Sequence, residues 1–275
     1  MNSSTAAVVL TYPGHFFQTD LTIKSIRLHI GPETKIYLIV DDVSNLAWPG
    51  YFSDCQQHYG IKDLIPTSSI SDMPRLRKWP YVRQQSVKLY LDRVIPESQW
   101  IFLDGDVRLR RAVPPGTLAS CVEYQGEDLS SRDPGPGEKS SQILFYIRHM
   151  LGIDFRGFWN DHGGFMTASH PPVHWMSAEV LESLRGYVEQ HHGQDFLTLH
   201  LAMAEDPRYS MCEWDLLECF QQEILGRPRP WNCESGDVID TTWVCDRELG
   251  LDWFQSHGIE PDPRIWPQLP LAKYL

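Results

Sequence analysis

Asp104 and Asp106 flank Gly105 at the end of the apolar run Trp100-Ile101-Phe102-Leu103. Two carboxylates separated by one residue on a tight loop present oxygen ligands to a single hard divalent cation, Mn2+ or Mg2+. Such an ion can bridge a diphosphate and neutralise charge that develops on a leaving group. Glycine between the acids lets backbone approach a ligand closely. The spacing alone is common, and a turn with two solvated acids would look the same. Its place at the end of a buried strand is what favours a functional site.

Other residues could join that chemistry. Gln84 and Lys88 are four apart, so on a helix they share a face, while Gln85 falls off it. Lys88 can meet a phosphate or pair with a loop carboxylate; an ordinary amphipathic helix surface is the equal alternative. Asp41 and Asp42 end a second apolar run. Glu213 heads a helical stretch after a loop, where an acid is also favoured by the helix dipole alone. The stretch Trp159-Asn160-Asp161-His162-Gly163-Gly164 offers backbone that a ligand can approach, or simply a turn before Phe165-Met166. His257, just before Gly258, is a candidate third metal ligand, although one histidine makes no pattern.

The elements that must position these residues alternate. An apolar run over 6–10 ends in Thr11-Tyr12-Pro13-Gly14 and predicts a strand and a loop. Asp20 is placed to cap a helix over 21–30, which Gly31-Pro32 stops. Residues 35–40 form a nearly continuous apolar strand ending in Asp41-Asp42. A strand, a helix and a strand in so short a span make a βαβ unit. A short helix is expected over 51–59, a strand over 61–65, a helix over 81–94 and a strand over 99–103. Residues 114–137, rich in Pro, Gly, Ser and charge, predict a loop. Helices are expected over 177–191, 194–204 and 212–225, followed by an irregular tail from Arg227. The fold class is therefore α/β: one domain over 1–275, a mostly parallel central sheet flanked by helices, and a helix-rich, irregular C-terminal part.

Bulk properties agree. The 275 residues are 42% hydrophobic and 12% aromatic, enough for a sizeable core. The net charge of −12 disfavours a broad duplex-DNA footprint. A basic group at Arg75, Arg77, Lys78 and Arg83 reads first as a solvated face. The six cysteines show no C-x-x-C pair and read as buried free thiols. The start of the chain has no basic stretch before its short apolar run, so no signal peptide is expected. No run is long enough to span a bilayer. A cytoplasmic protein without stable membrane insertion is the expectation.

The run Arg83-Gln84-Gln85-x-x-Lys88-Leu89, followed by Trp100-Ile101-Phe102-Leu103-Asp104-Gly105-Asp106, resembles a family of microbial glycosyltransferase-like proteins with the type A (GT-A) fold. That family shows a Q-Q-x-x-K-L helix before an L-D-x-D strand edge. Thr11-Tyr12 and its following helix look like the family too. Ser210-Met211-Cys212-Glu213-Trp214 is similar to its S-E-aromatic segment, with one residue shifted. The resemblance covers about 6–225. It departs at Val107-Arg108, where the family has a small or apolar residue and then a hydroxyl, and at 125–140.

What the resemblance implies is a metal-dependent enzyme that takes a nucleotide-sugar, with a UDP-sugar expected, and Mn2+ or Mg2+. Asp104 and Asp106 would hold the metal, with Asp104 also near the donor ribose. Thr11 and Tyr12 would line the base, Asp41 or Asp42 would reach base or ribose, and Gln84 and Lys88 would support the donor pocket. Glu213 would be the first candidate for the general base that an inverting transfer needs, before Asp215 and Asp161. Trp159, His162, Gly163 and Gly164 would lie on the acceptor side, with Trp159 a flat face for a sugar. Donor binding would fall to about 1–113 and the acceptor side to 114–275. A saccharide is the favoured acceptor, with a modified nucleobase as the alternative. Two other readings stand beside this one. A metal-dependent nucleotidyltransferase would want a Gly-rich phosphate loop, which Thr11-Tyr12-Pro13-Gly14-His15 is not. A non-catalytic nucleotide-sugar-binding protein would tolerate loss of the acidic pair.

Overall fold

The structure, a computed structural model, describes residues 6–11, 16–41, 60–70, 80–105, 107–109, 122–124, 139–155, 158–159, 165–167, 173–227 and 239–240. Strands β1 (Ala6–Thr11), β2 (Lys35–Val40), β3 (Asp63–Pro66) and β4 (Gln99–Asp104) are parallel neighbours in the order β3-β2-β1-β4. The chain leaves β1 for β2 and β3 on one side, then returns to β4 on the other. The order therefore reverses between β1 and β4, and open α/β sheets place a ligand crevice outside the carboxyl ends of the strands at such a point, here at Thr11 and Asp104.

Strands β1, β2 and β4 are apolar along most of their length, as strands covered on both faces are. Ala6, Val8, Leu10, Trp100 and Phe102 belong to one core; Ala7, Val9, Ile101 and Leu103 belong to the other. Helix α1 (Phe16–His29) fills the second core with Ile23 and Ile26. The first core is filled by α2 (Pro80–Lys88), α3 (Lys139–Leu151), α4 (Ala178–His192), α5 (Phe196–Ala204) and α6 (Glu213–Cys219). The fold is thus α/β, a mixed, mostly parallel sheet between helices, as the alternation of elements predicts.

Several elements differ from expectation. Helix α1 starts at Phe16, so Asp20 does not cap it. Phe16 to Thr19 contain no helix breaker, and Asp20 is a fully buried helical residue with its carboxylate 3.3 Å from Lys24 Nζ. Helix α2 ends at Lys88, and a 3-10 turn at Leu91–Arg93 takes its place. Helix α3 is not among the expected elements, although Ile143, Leu144, Ile147, Met150 and Leu151 recur at helical spacing and are all buried. The expected loop over 114–137 contains β6 (Val122–Tyr124), which joins β7 (Phe158–Trp159) and β8 (Phe165–Thr167) in a small antiparallel sheet. The edge strand β9 (Val173–Ser177) pairs antiparallel with β4. From the tail, β10 (Ile239–Asp240) pairs with β5 (Arg108–Leu109) just past the acidic loop. The helix expected over 51–59 lies outside the described residues.

The later helices have the ends their residues dictate. Ser177 Oγ accepts from the Val180 N–H, and Gly193 ends α4 at φ 66°, directly after His191 and His192. Cys212 and Cys219 are buried free thiols. Among the described residues no helix is long and apolar enough to cross a membrane.

Candidate active site

The site is built on the carboxyl ends of β1, β2 and β4. Gly105 follows β4 immediately. A side-chain carbon there would lie 2.8 Å from the Leu10 carbonyl oxygen and 3.1 Å from Thr19 Oγ1. Glycine is thus required for close approach to the chain's own β1 and α1, in addition to any ligand. The Gly105 carbonyl also accepts from Thr22 Oγ1 at 3.0 Å. We expect Gly105→Ala to cost about 1–3 kcal/mol, since backbone must shift. Urea unfolding checks this; a loss below about 0.5 kcal/mol would show that β1 and α1 yield freely.

Asp104 ends β4 with 30% of its side chain exposed. Lys88 Nζ lies 3.0 Å from its Oδ1 and 3.4 Å from its Oδ2. The same ammonium lies 2.6 Å from Glu213 Oε1. It sits 4.8 Å from the centre of the Trp214 ring and 5.2 Å from that of Phe102. Those two rings pack against each other at 5.2 Å. Burial opposes charge on Lys88, but Asp104 and Glu213 prevail and hold its pKa above the ordinary value. Burial pushes the Glu213 carboxyl up to about 6 against the pull of Lys88.

Helix α2 carries three of the contacts that tie the site together. Lys88 reaches β4's end. Gln85 Oε1 accepts from the Glu213 backbone N–H at 3.2 Å and so fixes the start of α6. Arg83 donates from Nε to Asp41 Oδ1 at 3.0 Å and from Nη2 to Asp41 Oδ2 at 2.6 Å. Thr67, just past β3, donates to Asp41 Oδ1 at 3.3 Å.

The structure therefore brings together Asp104, Lys88 and Glu213. It places other expected residues differently. Thr11 is fully buried, with its hydroxyl 2.5 Å from that of Thr19, so its side chain underlies the crevice and does not line it. Asp41 is buried, and its carboxylate is engaged by Arg83 and Thr67. Glu213 and Asp215 are each 1% exposed, so neither candidate base faces the crevice. Arg83 is fully buried, which corrects its reading as part of a solvated basic face. Gln84 is half-buried, and Gln85, set aside on helical spacing, is the glutamine that works beside Lys88. A residue three positions before Lys88 shares its face as well as one four before. Tyr81, near the start of α2, is 52% exposed and donates its hydroxyl to the Met211 carbonyl oxygen at 3.4 Å. Tyr12, Asp42, Asp106, Asp161, His162, Gly163, Gly164 and His257 lie outside the described residues, and Trp159 is described only as part of β7.

No family model and no curated protein sequence match the chain. Among solved structures, it is similar to mouse xyloside xylosyltransferase 1 in its apo form, with 11% identity over 92% of this chain and 90% of that one, at a TM-score of 0.43. It is similar to galactosyltransferase LgtC in complex with donor and acceptor sugar analogues, with 11% identity over 98% and 100% of the two chains, at a TM-score of 0.43. A third is the apo form of the glycosyltransferase GlyE of Streptococcus pneumoniae TIGR4, of which the chain spans 62%, at 13% identity and a TM-score of 0.38. At such scores the likeness is loose, and the α/β class rests on the strand order and pairing described above.

Proposed function

We propose that this protein is a metal-dependent glycosyltransferase of the type A fold, moving a sugar from a nucleotide-sugar donor to an acceptor hydroxyl. One observation carries the reading. A partly exposed carboxylate, Asp104, ends the strand beside the point where the sheet order reverses, and Asp106 follows two residues later. That crevice is where open α/β sheets bind nucleotides.

Among the described residues no three His, Cys, Asp or Glu side chains gather as a metal cage. A magnesium-like ion does not need one, because it is commonly held by one or two carboxylates together with substrate phosphates and water. Asp104 supplies such a carboxylate; Asp106 and His257 are the further ligands proposed. The ion would offset charge on the departing diphosphate. The chain's own part is to present Asp104 from a rigid strand end, backed by Lys88. Donor binding is assigned to about 1–113, with Tyr12 against the base and Gln84 near the pocket. The acceptor side is assigned to 114–275, with Trp159, His162, Gly163 and Gly164 facing a saccharide. A UDP-sugar is the donor of choice, and Asp161 is the remaining candidate base.

The test is a panel of nucleotide-sugars titrated with and without Mn2+, followed by melting temperature and donor hydrolysis, on the wild type and Asp106→Asn. A ligand that binds only the native state adds about 2.7 kcal/mol of stability at a hundred times its Kd, and the melting temperature rises accordingly. We expect one donor to stabilise the wild type only with metal, to be hydrolysed, and to do neither with Asp106→Asn. Stabilisation without hydrolysis points to a binding protein. No stabilisation by any donor overturns the reading.

A further inference from the structure

We infer that Glu213 is a positioning residue that holds the Lys88 ammonium against Asp104, and is not the group that takes a proton from the acceptor. The inference rests on the glycosyltransferase reading for its functional meaning.

Glu213 is nearly sealed, at 1% exposure, and its Oε1 lies 2.6 Å from Lys88 Nζ. A general base must reach the proton it removes, directly or through one water. The ammonium stands between this carboxylate and Asp104, which is the open side of the cluster. An ammonium is a compact charge on a flexible stem. Here its freedom is removed on every side. Glu213 draws it from one direction, Asp104 from another, and the rings of Trp214 and Phe102 lie against it at 4.8 Å and 5.2 Å. Gln85 in turn fixes the Glu213 backbone. The fixed cation offsets part of the charge on Asp104. It also holds the Asp104 carboxylate in one orientation, in which it would meet the metal ion and donor diphosphate proposed above.

Two measurements test this. The first needs no activity. Surface acylation with an N-hydroxysuccinimide acetate, read by mass spectrometry, compares Lys88 with Lys24, whose side chain is 12% exposed and which pairs with Asp20 on α1. In Glu213→Gln we expect the Lys88-to-Lys24 labelling ratio to rise severalfold. An unchanged ratio overturns the inference, whatever the reaction proves to be.

The second is a double-mutant cycle on kcat/KM for donor turnover, with Glu213→Gln, Lys88→Met and both together. A residue that acts through Lys88 adds nothing once Lys88 is gone. We expect the double variant to lie within about twofold of Lys88→Met, and the single Glu213→Gln loss to appear mainly as a raised donor KM. A further loss of about 10²–10⁴-fold in kcat on the Lys88→Met background, the usual cost of losing a general base, overturns the inference. If the double variant does not fold, the labelling ratio decides. If the wild type turns over no donor, the glycosyltransferase reading fails and the labelling ratio still decides whether Glu213 holds Lys88.

Discussion

Asp41→Ala is expected to lose about 3–5 kcal/mol of stability, the usual cost of removing one partner from a buried ion pair. Arg83 is fully buried, and the change leaves its guanidinium without the carboxylate that accepts from both Nε and Nη2. The pair joins the end of β2 to α2, and Thr67 extends it to the end of β3. For a chain of this size the melting temperature should fall by about 10 °C. Asp41→Leu combined with Arg83→Met should recover most of that loss, because replacing both partners also removes the buried charge that Asp41→Ala leaves without its carboxylate. Urea unfolding of the wild type and the two variants decides. A loss under about 1 kcal/mol for Asp41→Ala, or a double variant no more stable than Asp41→Ala, would sink the argument. The consequence for function is direct: α2 carries Lys88, so loosening Arg83 from Asp41 loosens the support of Asp104.

Lys88→Met should cost a similar 3–5 kcal/mol near neutral pH, and the cost should depend on pH. Without the ammonium, Glu213 stays buried with no opposing charge. Its pKa, already pushed up to about 6 from an ordinary 4.5, must rise further. A carboxyl whose folded pKa lies above its unfolded value binds more protons when folded. Stability is then greatest below the unfolded value and falls as pH rises through the window between the two, by up to about 1.4 kcal/mol per pH unit. The variant's deficit against the wild type should therefore be small near pH 4.5 and largest near pH 8. Urea midpoints at pH 5 and pH 8 measure it. A deficit that is the same at both values would mean that Glu213 does not feel the loss of Lys88.

The α/β class was legible because the runs 6–10, 35–40 and 99–103 are short, nearly continuous and apolar, the pattern of strands in a sheet covered on both faces. The acidic loop was legible for the same reason: Asp104 interrupts an apolar run at a strand end. Lys88 was singled out through its place on a helix, and Glu213 through its place at the head of another. The sequence did not reveal that these two meet. They are far apart along the chain, and their contact depends on how α2 and α6 pack over one face of the sheet. Gln85 was set aside because spacing alone does not say which neighbour of Lys88 has a partner to meet. Asp41 and Thr11 look like ligand-facing residues at strand ends. Whether a strand-end side chain points to solvent or into its neighbours is decided by those neighbours, here Arg83 and Thr19.

The sequence by itself determined the alternation of elements, the apolar strands and the carboxylate at the end of β4, because these follow from local pattern. Tertiary structure alone decided the roles. Burial turned Arg83 and Asp41 into a tie between α2 and the strand ends. It turned Gly105 into a close approach of loop to β1 and α1. It set Glu213 behind Lys88 instead of before an acceptor. Each of these is a matter of which group is removed from water beside which other group, and that is fixed only when distant segments pack.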